Sequence, residues 1–370
     1  MAALNHDIPR QEVIQKIDLL MDNLVSIKDE TGEFLLHLDD GRVIDTKGWA
    51  GWEWTHGIGL FGMWRYYEQS GDRKALDIIE KWFDERFAEG TPTKNINTMA
   101  PFITLAYLHE REPQARYLPY LDGWAEWLMA PDGLPKTEEG GFQHIVYNDE
   151  NPGELWDDTL MMSVLPLAKI GLLLDRPHYI EEAKRQFLIH IKYLFDKKTG
   201  LWFHGWNFNG RHNFAEALWA RGNCWVTIAI PEIIELLDLP EGHAFRTFLI
   251  DTLAAQVKTL AETQHESGLW HTLIVDPSSY LEASATAGFA YGILKSVRKG
   301  YLPRCYEAVG LRAATGVLAH IDAAGELKQV SFGTAMGDTQ QFYKDIPLTS
   351  MPYGQSLALM ALGELLRTYI

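Results

Sequence analysis

Apolar positions recur along most of the chain at i, i+3, i+4 and i+7, the spacing of a helix that buries one stripe. The pattern predicts twelve helices, at 10–27, 54–70, 73–88, 97–111, 115–130, 157–174, 178–196, 214–238, 243–263, 281–299, 303–320 and 352–369. The fourth carries Pro101 in its first turn, where a missing N–H costs little. Glycine turns follow odd-numbered helices at Gly32, Gly133, Gly200, Gly268 and Gly325, each with a short extended segment after it. The unit is therefore helix, glycine turn, extended excursion, helix, repeated every ~50–70 residues. Twelve helices in such hairpins predict an all-α fold, an (α/α)6 toroid with alternate helices in an inner and an outer ring. An open superhelix is the alternative, but so few repeats close on themselves. No Pro/Ser-rich linker divides residues 1–370, so one domain is expected.

If the even helices form the inner ring, their N-termini gather at one mouth. The segments there are Trp49–Gly57, Asn95–Thr98, Trp156–Thr159, Trp219–Trp225, Glu282–Thr286 and Pro352–Gln355. Six positive dipole ends converging with Arg221 would attract a carboxylate.

Composition narrows the field. Hydrophobic residues make up 46% and charged residues 22%, a balance suited to a water-soluble core. Thirteen Trp exceed what packing alone requires, and flat aromatic faces stack on sugars. The net charge of −17 argues against nucleic acid, which needs Lys/Arg stripes, although one local Arg can still recruit an acidic ligand. Cys224 and Cys305 make neither a disulfide framework nor a cysteine zinc site. Residues 1–10 lack the basic end and apolar run of a leader, and no stretch is long enough to span a bilayer. A cytoplasmic protein is expected, monomeric or weakly dimeric, without nucleic-acid or membrane partners.

The chemistry centres on Glu154-Leu155-Trp156-Asp157-Asp158-Thr159-Leu160-Met161-Met162. An acidic pair at a helix start can be nothing more than a pair of caps. Among Trp156 and Met161, however, a carboxyl loses solvation and its pKa rises, which suits Asp158 to general-acid work; the helix dipole pulls the other way. Asp157, about 100° round a helix from its neighbour, is expected to be structural. His144 and His204 lie on aromatic loops that should reach the same rim, with an ordinary hydrogen-bonded role as the alternative. Arg221, between Trp219 and Trp225, either stacks on them or offers its fork to a carboxylate. No His pair has metal-ligand spacing, so no metal is expected, and no cofactor. There is no nucleophile elbow or phosphate loop. A conventional inverting glycosidase would need a second carboxylate, and Glu53, Glu154, Glu216, Glu282 and Asp338 are all available.

Trp156-Asp157-Asp158-Thr159-Leu160-Met161-Met162 taken with Trp219-Ala220-Arg221-Gly222-Asn223-Cys224-Trp225 resembles the unsaturated rhamnogalacturonyl hydrolases, glycoside hydrolase family 105, relatives of the family 88 unsaturated glucuronyl hydrolases. The likeness runs the length of the chain. It implies an (α/α)6 barrel and a metal-free reaction on a small anionic oligosaccharide, one ending in a Δ4,5-unsaturated uronic acid left by a lyase. Galacturonyl-rhamnose from pectin is the implied substrate. In such enzymes an aspartate protonates C4 of the enol ether and water adds at C5; the hemiketal then opens and expels the aglycone. Carried over, Asp158 is the acid/base, and His144, His204, Trp219, Arg221 and Trp225 fall at binding positions. Trp52, in Trp52-Glu53-Trp54-Thr55-His56-Gly57, is a plausible sugar platform. The chain departs from the family in placing Asn97 (or Asn95) where a second aspartate is usual. A sugar epimerase built on His144 and His204, an inverting glycosidase on the same toroid, and a peptide-binding helical scaffold are the competing readings.

Overall fold

The computed structural model describes residues 8–369; the first seven residues, part of the stretch behind the expectation of no leader, lie outside the described residues. Six helices form the inner ring: α2 (Trp54–Ser70), α4 (Phe102–Arg111), α6 (Leu165–Leu173), α8 (Ala220–Leu236), α10 (Ala283–Arg298) and α13 (Pro352–Leu366). Each packs on the next, and α13 packs back on α2, so the ring is closed. The outer ring is α1 (Arg10–Ser26), α3 (Arg73–Glu89), α5 (Leu118–Met129), α7 (Pro177–Leu194), α9 (Ala244–Thr263) and α11 (Glu307–Ala319). The expected (α/α)6 toroid is the fold, and the superhelix is excluded.

The two rings differ as their neighbours dictate. Every residue of α13 is buried, as is nearly all of α10, because an inner helix touches protein on all sides. The outer α7 shows one stripe, with Tyr179, Ala183, Gln186, Phe187, His190 and Leu194 inward. Close approach requires small residues: a Cβ at Gly292 of α10 would lie 2.3 Å from the Thr227 carbonyl oxygen of α8. Fully burying a large apolar side chain contributes about 1.5–3 kcal/mol, and the core joins both rings in one continuous cluster.

The two ends of the ring are unlike. Toward the helix C-termini the centre is filled by ion pairs. Arg65 of α2 reaches Glu232 of α8 at 2.5 Å, Glu232 also takes Lys295 and the Tyr291 hydroxyl of α10, and Arg298 pairs with Glu364 of α13 at 2.7 Å. Charges buried this way persist because each has a partner. The N-terminal end is open and carries the extended excursions as three two-stranded ladders. These are β1 (Leu35–His37) with β2 (Val43–Asp45), β3 (Glu154–Trp156) with β4 (Gly205–Asn207), and β5 (Trp270–His271) with β6 (Leu281–Glu282).

Departures from expectation bear on the site; the helix expected at 97–111, for one, opens with a separate short turn at Asn97–Met99 and becomes α-helical only at Phe102. The helix expected at 214–238 begins at Ala220; Phe214 and Glu216 adopt left-handed backbone, which breaks a helix. The one expected at 157–174 starts with a wide π turn over Leu160–Val164. A five-residue helix, α12 (Gln340–Lys344), was not expected at all. No helix among the described residues is long and apolar enough to cross a membrane.

Candidate active site

The ladder of β3 and β4 builds the centre of the open end. Trp156 pairs with Gly205, and Asp157 N donates to the His204 carbonyl at 3.0 Å, which sets the acidic pair beside His204. Asp157 is the turn residue between β3 and the helical turn, its carbonyl accepting from Leu160 N at 3.3 Å, so the 100° separation expected of two residues within a helix does not apply. Its carboxyl is wholly buried and turned toward α8, where a Cβ on Gly222 would lie 2.4 Å from Oδ2. No Lys or Arg pairs with it among the described residues. Burial first, and then the charge of Asp158, drive the Asp157 carboxyl well above the usual range. For Asp158 burial also works upward, but the contact with His204 outweighs it and holds that carboxyl low. The two neighbouring acids are thus pushed in opposite directions, Asp157 toward its protonated form and Asp158 toward its ionised form.

His204 stands behind Asp158. Its Nε2 is 3.3 Å from Asp158 Oδ2 and its Nδ1 is 2.8 Å from the Tyr343 hydroxyl of α12. Its ring is walled by Trp219 at 4.4 Å and Trp156 at 5.3 Å between centroids. His144 stacks flat on Trp156 at 4.2 Å, with Nδ1 2.8 Å from the Thr159 hydroxyl. Burial lowers its pKa to about 3, so it is a neutral ring.

In front of Asp158 lies a cavity of about 260 Å³. Five of the six inner helices bring N-terminal residues to its wall: Glu53, Trp54 and Thr55, Asn97, Trp156 and Asp158, Trp219 and Arg221, and Met351. Phe332 to Ala335 close one side, and Val146, Tyr147, Asp149 and Asn151 the other. The sixth inner helix contributes through Glu282, which caps α10 beneath Arg221 at 3.8 Å. Helix dipoles and one guanidinium thus face a cavity also lined by flat rings, an arrangement that suits an anionic sugar.

Of the residues singled out from the sequence, Asp158, Asn97, His144, Trp219 and Arg221 line the cavity together. His204 does not; it meets Asp158 from behind. Trp52 must be corrected: it is packed among Trp82, Phe87, Phe102 and Trp124, and its indole N–H donates to the Thr98 carbonyl at 2.9 Å. Trp225 is likewise off the wall, fully buried and edge-on to Trp54 at 5.7 Å. Asn95 is buried, its Oδ1 accepting from Thr98 N at 2.9 Å, so Asn97 is the amide that faces the cavity.

Arg221 does stack, lying 4.6 Å over Trp219 and 5.0 Å over Tyr353. Its fork is not turned to the cavity. Nη1 donates to the Ser331 carbonyl and hydroxyl, and Nη2 to the Phe332 carbonyl at 2.8 Å and Thr334 Oγ1 at 2.7 Å. The side chain braces the 331–334 loop and offers its charge rather than its fork.

Sequence reasoning missed Trp54, Tyr147 and Tyr343, and offered Glu53 only as one of five available carboxylates. Trp54 is the cavity-facing aromatic platform that Trp52 was taken for, half-buried, stacked on Tyr353 at 4.6 Å and lining the cavity. A capping carboxylate between two tryptophans was the available signal for Glu53 and Trp54; nothing local marks Tyr343, which reaches His204 from 139 residues away. Oxygens of Asp157 and Asp158 and a nitrogen of His204 lie within 4.8 Å of one another, the one group of metal-like spacing among the described residues. The same spacing serves a proton shared by two acids and steadied by a histidine.

Comparison with known proteins shows the family and the fold. The family model described as Glycosyl Hydrolase Family 88 matches residues 26–369. The unsaturated rhamnogalacturonyl hydrolase YesR of Bacillus subtilis is 31% identical over 320 residues, 86% of this chain and 90% of that protein. A crystal structure of a possible member of family GH105 from Salmonella enterica serovar Paratyphi A is 61% identical, with TM-score 0.97 over 99% of this chain and 96% of the other. The unsaturated glucuronyl hydrolase of Bacillus sp. GL1 shares the fold, at TM-score 0.69 and 16% identity over 96% of this chain and 97% of that one.

Proposed function

Because the chain belongs to glycosyl hydrolase family 88, with the family 105 members it resembles, we propose that this glycoside hydrolase removes a Δ4,5-unsaturated galacturonyl residue from rhamnose at the non-reducing end of lyase-generated pectin fragments. Hydrolysis of unsaturated uronyl sugars is the activity of its relatives. The single observation that carries the finer reading is the constellation around Asp158. A carboxyl lines an aromatic cavity, with a histidine behind it and a second, fully buried carboxyl beside it.

The reaction is a hydration. Asp158, supplied with the proton held by Asp157, protonates C4 of the enol ether as positive charge develops at C5. Water adds at C5 and returns a proton to the acid pair, which ends as it began. The hemiketal then opens and expels rhamnose. His204 keeps Asp158 oriented, Trp54 and Trp219 face the sugar, and Asn97 offers an amide to its hydroxyl or carboxylate groups. The charge of Arg221 and the helix starts favour the uronate. One chain lines the whole cavity, so the reading needs no second copy. A cytoplasmic site of action is part of it and rests on the sequence alone.

An epimerase using His144 and His204 finds no support, since His204 is turned to Asp158 and Tyr343 rather than to the cavity. The test is ultraviolet absorbance of the conjugated double bond, followed with unsaturated galacturonyl-rhamnose for wild type and Asp158→Asn, with and without chelator. Loss of signal in wild type alone, unaffected by chelator, is the expected result. Persistence with this disaccharide and its glucuronyl analogues would refute the reading, and inhibition by chelator would put a cation at Asp157, Asp158 and His204.

A further inference from the structure

Five carboxylates were open candidates for a second acid, and the structure separates them. Glu282 is fully engaged, accepting from Ser284 Oγ at 2.6 Å and Ser331 N at 2.9 Å, with Arg221 nearby. Glu154 accepts from the Trp156 indole at 2.8 Å and from Asn207 at 3.4 Å. Glu216 and Asp338 are exposed on loops. Glu53 alone of the five is buried and on the cavity wall. Trp54 N donates to its Oε2 at 2.9 Å, and no Lys or Arg pairs with it among the described residues. A buried carboxylate without a cation is costly in its charged form.

We propose that Glu53 is a second substrate-facing carboxyl of this site, a neutral acid that donates a hydrogen bond to the uronate carboxylate while Asp157 and Asp158 manage the proton that reacts. This rests on the proposed substrate being an anion. The titratable and charged groups that share the cavity with Glu53 give it no ion pair. On its own helix, His56 is a neutral ring whose Nδ1 accepts from Glu53 N at 3.1 Å. From the 144–151 loop come Tyr147, His144 and Asp149, and across the cavity Asp158 and Arg221, the latter with its fork on the 331–334 loop. Burial pushes the Glu53 carboxyl up to about 7, opposed by Trp54 N. Burial raises the Tyr147 phenol, and once Glu53 is ionised at higher pH its charge raises it further. An arriving carboxylate disfavours ionised Glu53 and gives the acid form an acceptor, and O–H to carboxylate bonds are among the stronger ones. Glu53 thereby lets an anion occupy a cavity already holding ionised Asp158.

The test is KM and kcat from pH 6 to 8.5 for wild type and Glu53→Gln, on unsaturated galacturonyl-rhamnose. Wild-type KM should rise above pH ~7, approaching tenfold per pH unit, as Glu53 ionises. The Gln variant, a permanent but weaker donor, should bind a few fold less tightly than wild type at pH 6 and more tightly at pH 8.5. This crossing is a readout that a merely structural cap would not produce. A flat wild-type KM overturns the proposal without any variant. So does a collapse of kcat in Glu53→Gln at every pH, which would make Glu53 a base of a conventional inverting enzyme. Infrared titration separates this from failure of the substrate reading. A protonated-carboxyl band that fades as pH passes ~7 in wild type and is missing in Glu53→Gln supports the proposal whatever the substrate. Absence of that band in wild type at pH 6 overturns it.

Discussion

His204 Nε2 lies 3.3 Å from Asp158 Oδ2, and the other nitrogen of the same ring is 2.8 Å from the Tyr343 hydroxyl. The histidine thus joins a catalytic candidate to a helix whose five residues carry no sequence signature. If it fixes the carboxyl, His204→Asn should lower kcat about 100-fold with little change in KM, the cost of misplacing a reacting group by about 1 Å. Tyr343→Phe, which removes one hydrogen bond from the relay, should lower it about tenfold. Steady-state kinetics of the two variants, ranked below Asp158→Asn, would check the order.

Asp157 and Gly222 make a second dependent pair. A methyl group at position 222 would lie 2.4 Å from the Asp157 carboxyl, so Gly222→Ala must displace one or the other. It should destabilise the fold by about 1–3 kcal/mol and lower kcat, although residue 222 is off the cavity wall. Asp157→Asn is the complementary variant, neutral and nearly isosteric with the protonated acid. Its melting temperature should stay near that of wild type while kcat falls about 100-fold, because an amide cannot pass on a proton. Thermal melts run beside the absorbance assay distinguish the two.

Glu53 also makes a stability prediction that needs no substrate. Its pKa is about 7 when folded against an ordinary 4.5. Between these values the folded protein keeps a proton that the unfolded chain gives up, so this contribution weakens as pH rises from 4.5 to 7 and stays lost above. Glu53→Gln should therefore be more stable than wild type at pH 8, by up to about 3 kcal/mol, and no more stable at pH 4. Urea unfolding at both pH values measures the difference.

Three buried histidines act on the acid side. Burial lowers His56 to about 4, His144 to about 3 and His190 to about 4, from 6.5. As pH falls below 6.5 the unfolded chain takes up protons at these rings before the folded protein can, so stability drops from there toward pH 4. The combined loss should reach several kcal/mol. His190 faces none of the reacting groups, so His190→Gln should soften this acid transition and leave turnover intact.

How much was legible follows from how local each signal is. Helix periodicity and glycine turns act over a few residues, so the toroid could be read directly. The start of α8 could not: Phe214, Ala215, Ala217 and Leu218 have helical spacing, but left-handed Phe214 and Glu216 turn them into a loop that bridges Trp219 to Leu273. Trp52 and Trp54 look interchangeable in sequence. They differ because Glu53 caps α2 between them, sending Trp52 back among the outer aromatics and Trp54 onto the cavity. Asp157 was judged by helix geometry, whereas it is the turn residue between β3 and the helix, where adjacent carboxyls can converge. The partner of His204 lay beyond any local pattern.

Closure of the ring by α13 against α2 brings the two ends of the described chain together, with the Tyr369 hydroxyl donating to the Ile8 carbonyl at 2.7 Å. Topologically the molecule is a hoop with one nick, and no helix pair has a privileged rank around it. A short linker across that nick and a new opening in the turn after α4, far from the cavity, should produce a permuted chain that folds and turns over substrate. The order of helices in the gene is then a property of its history, while the catalytic centre belongs to the circle.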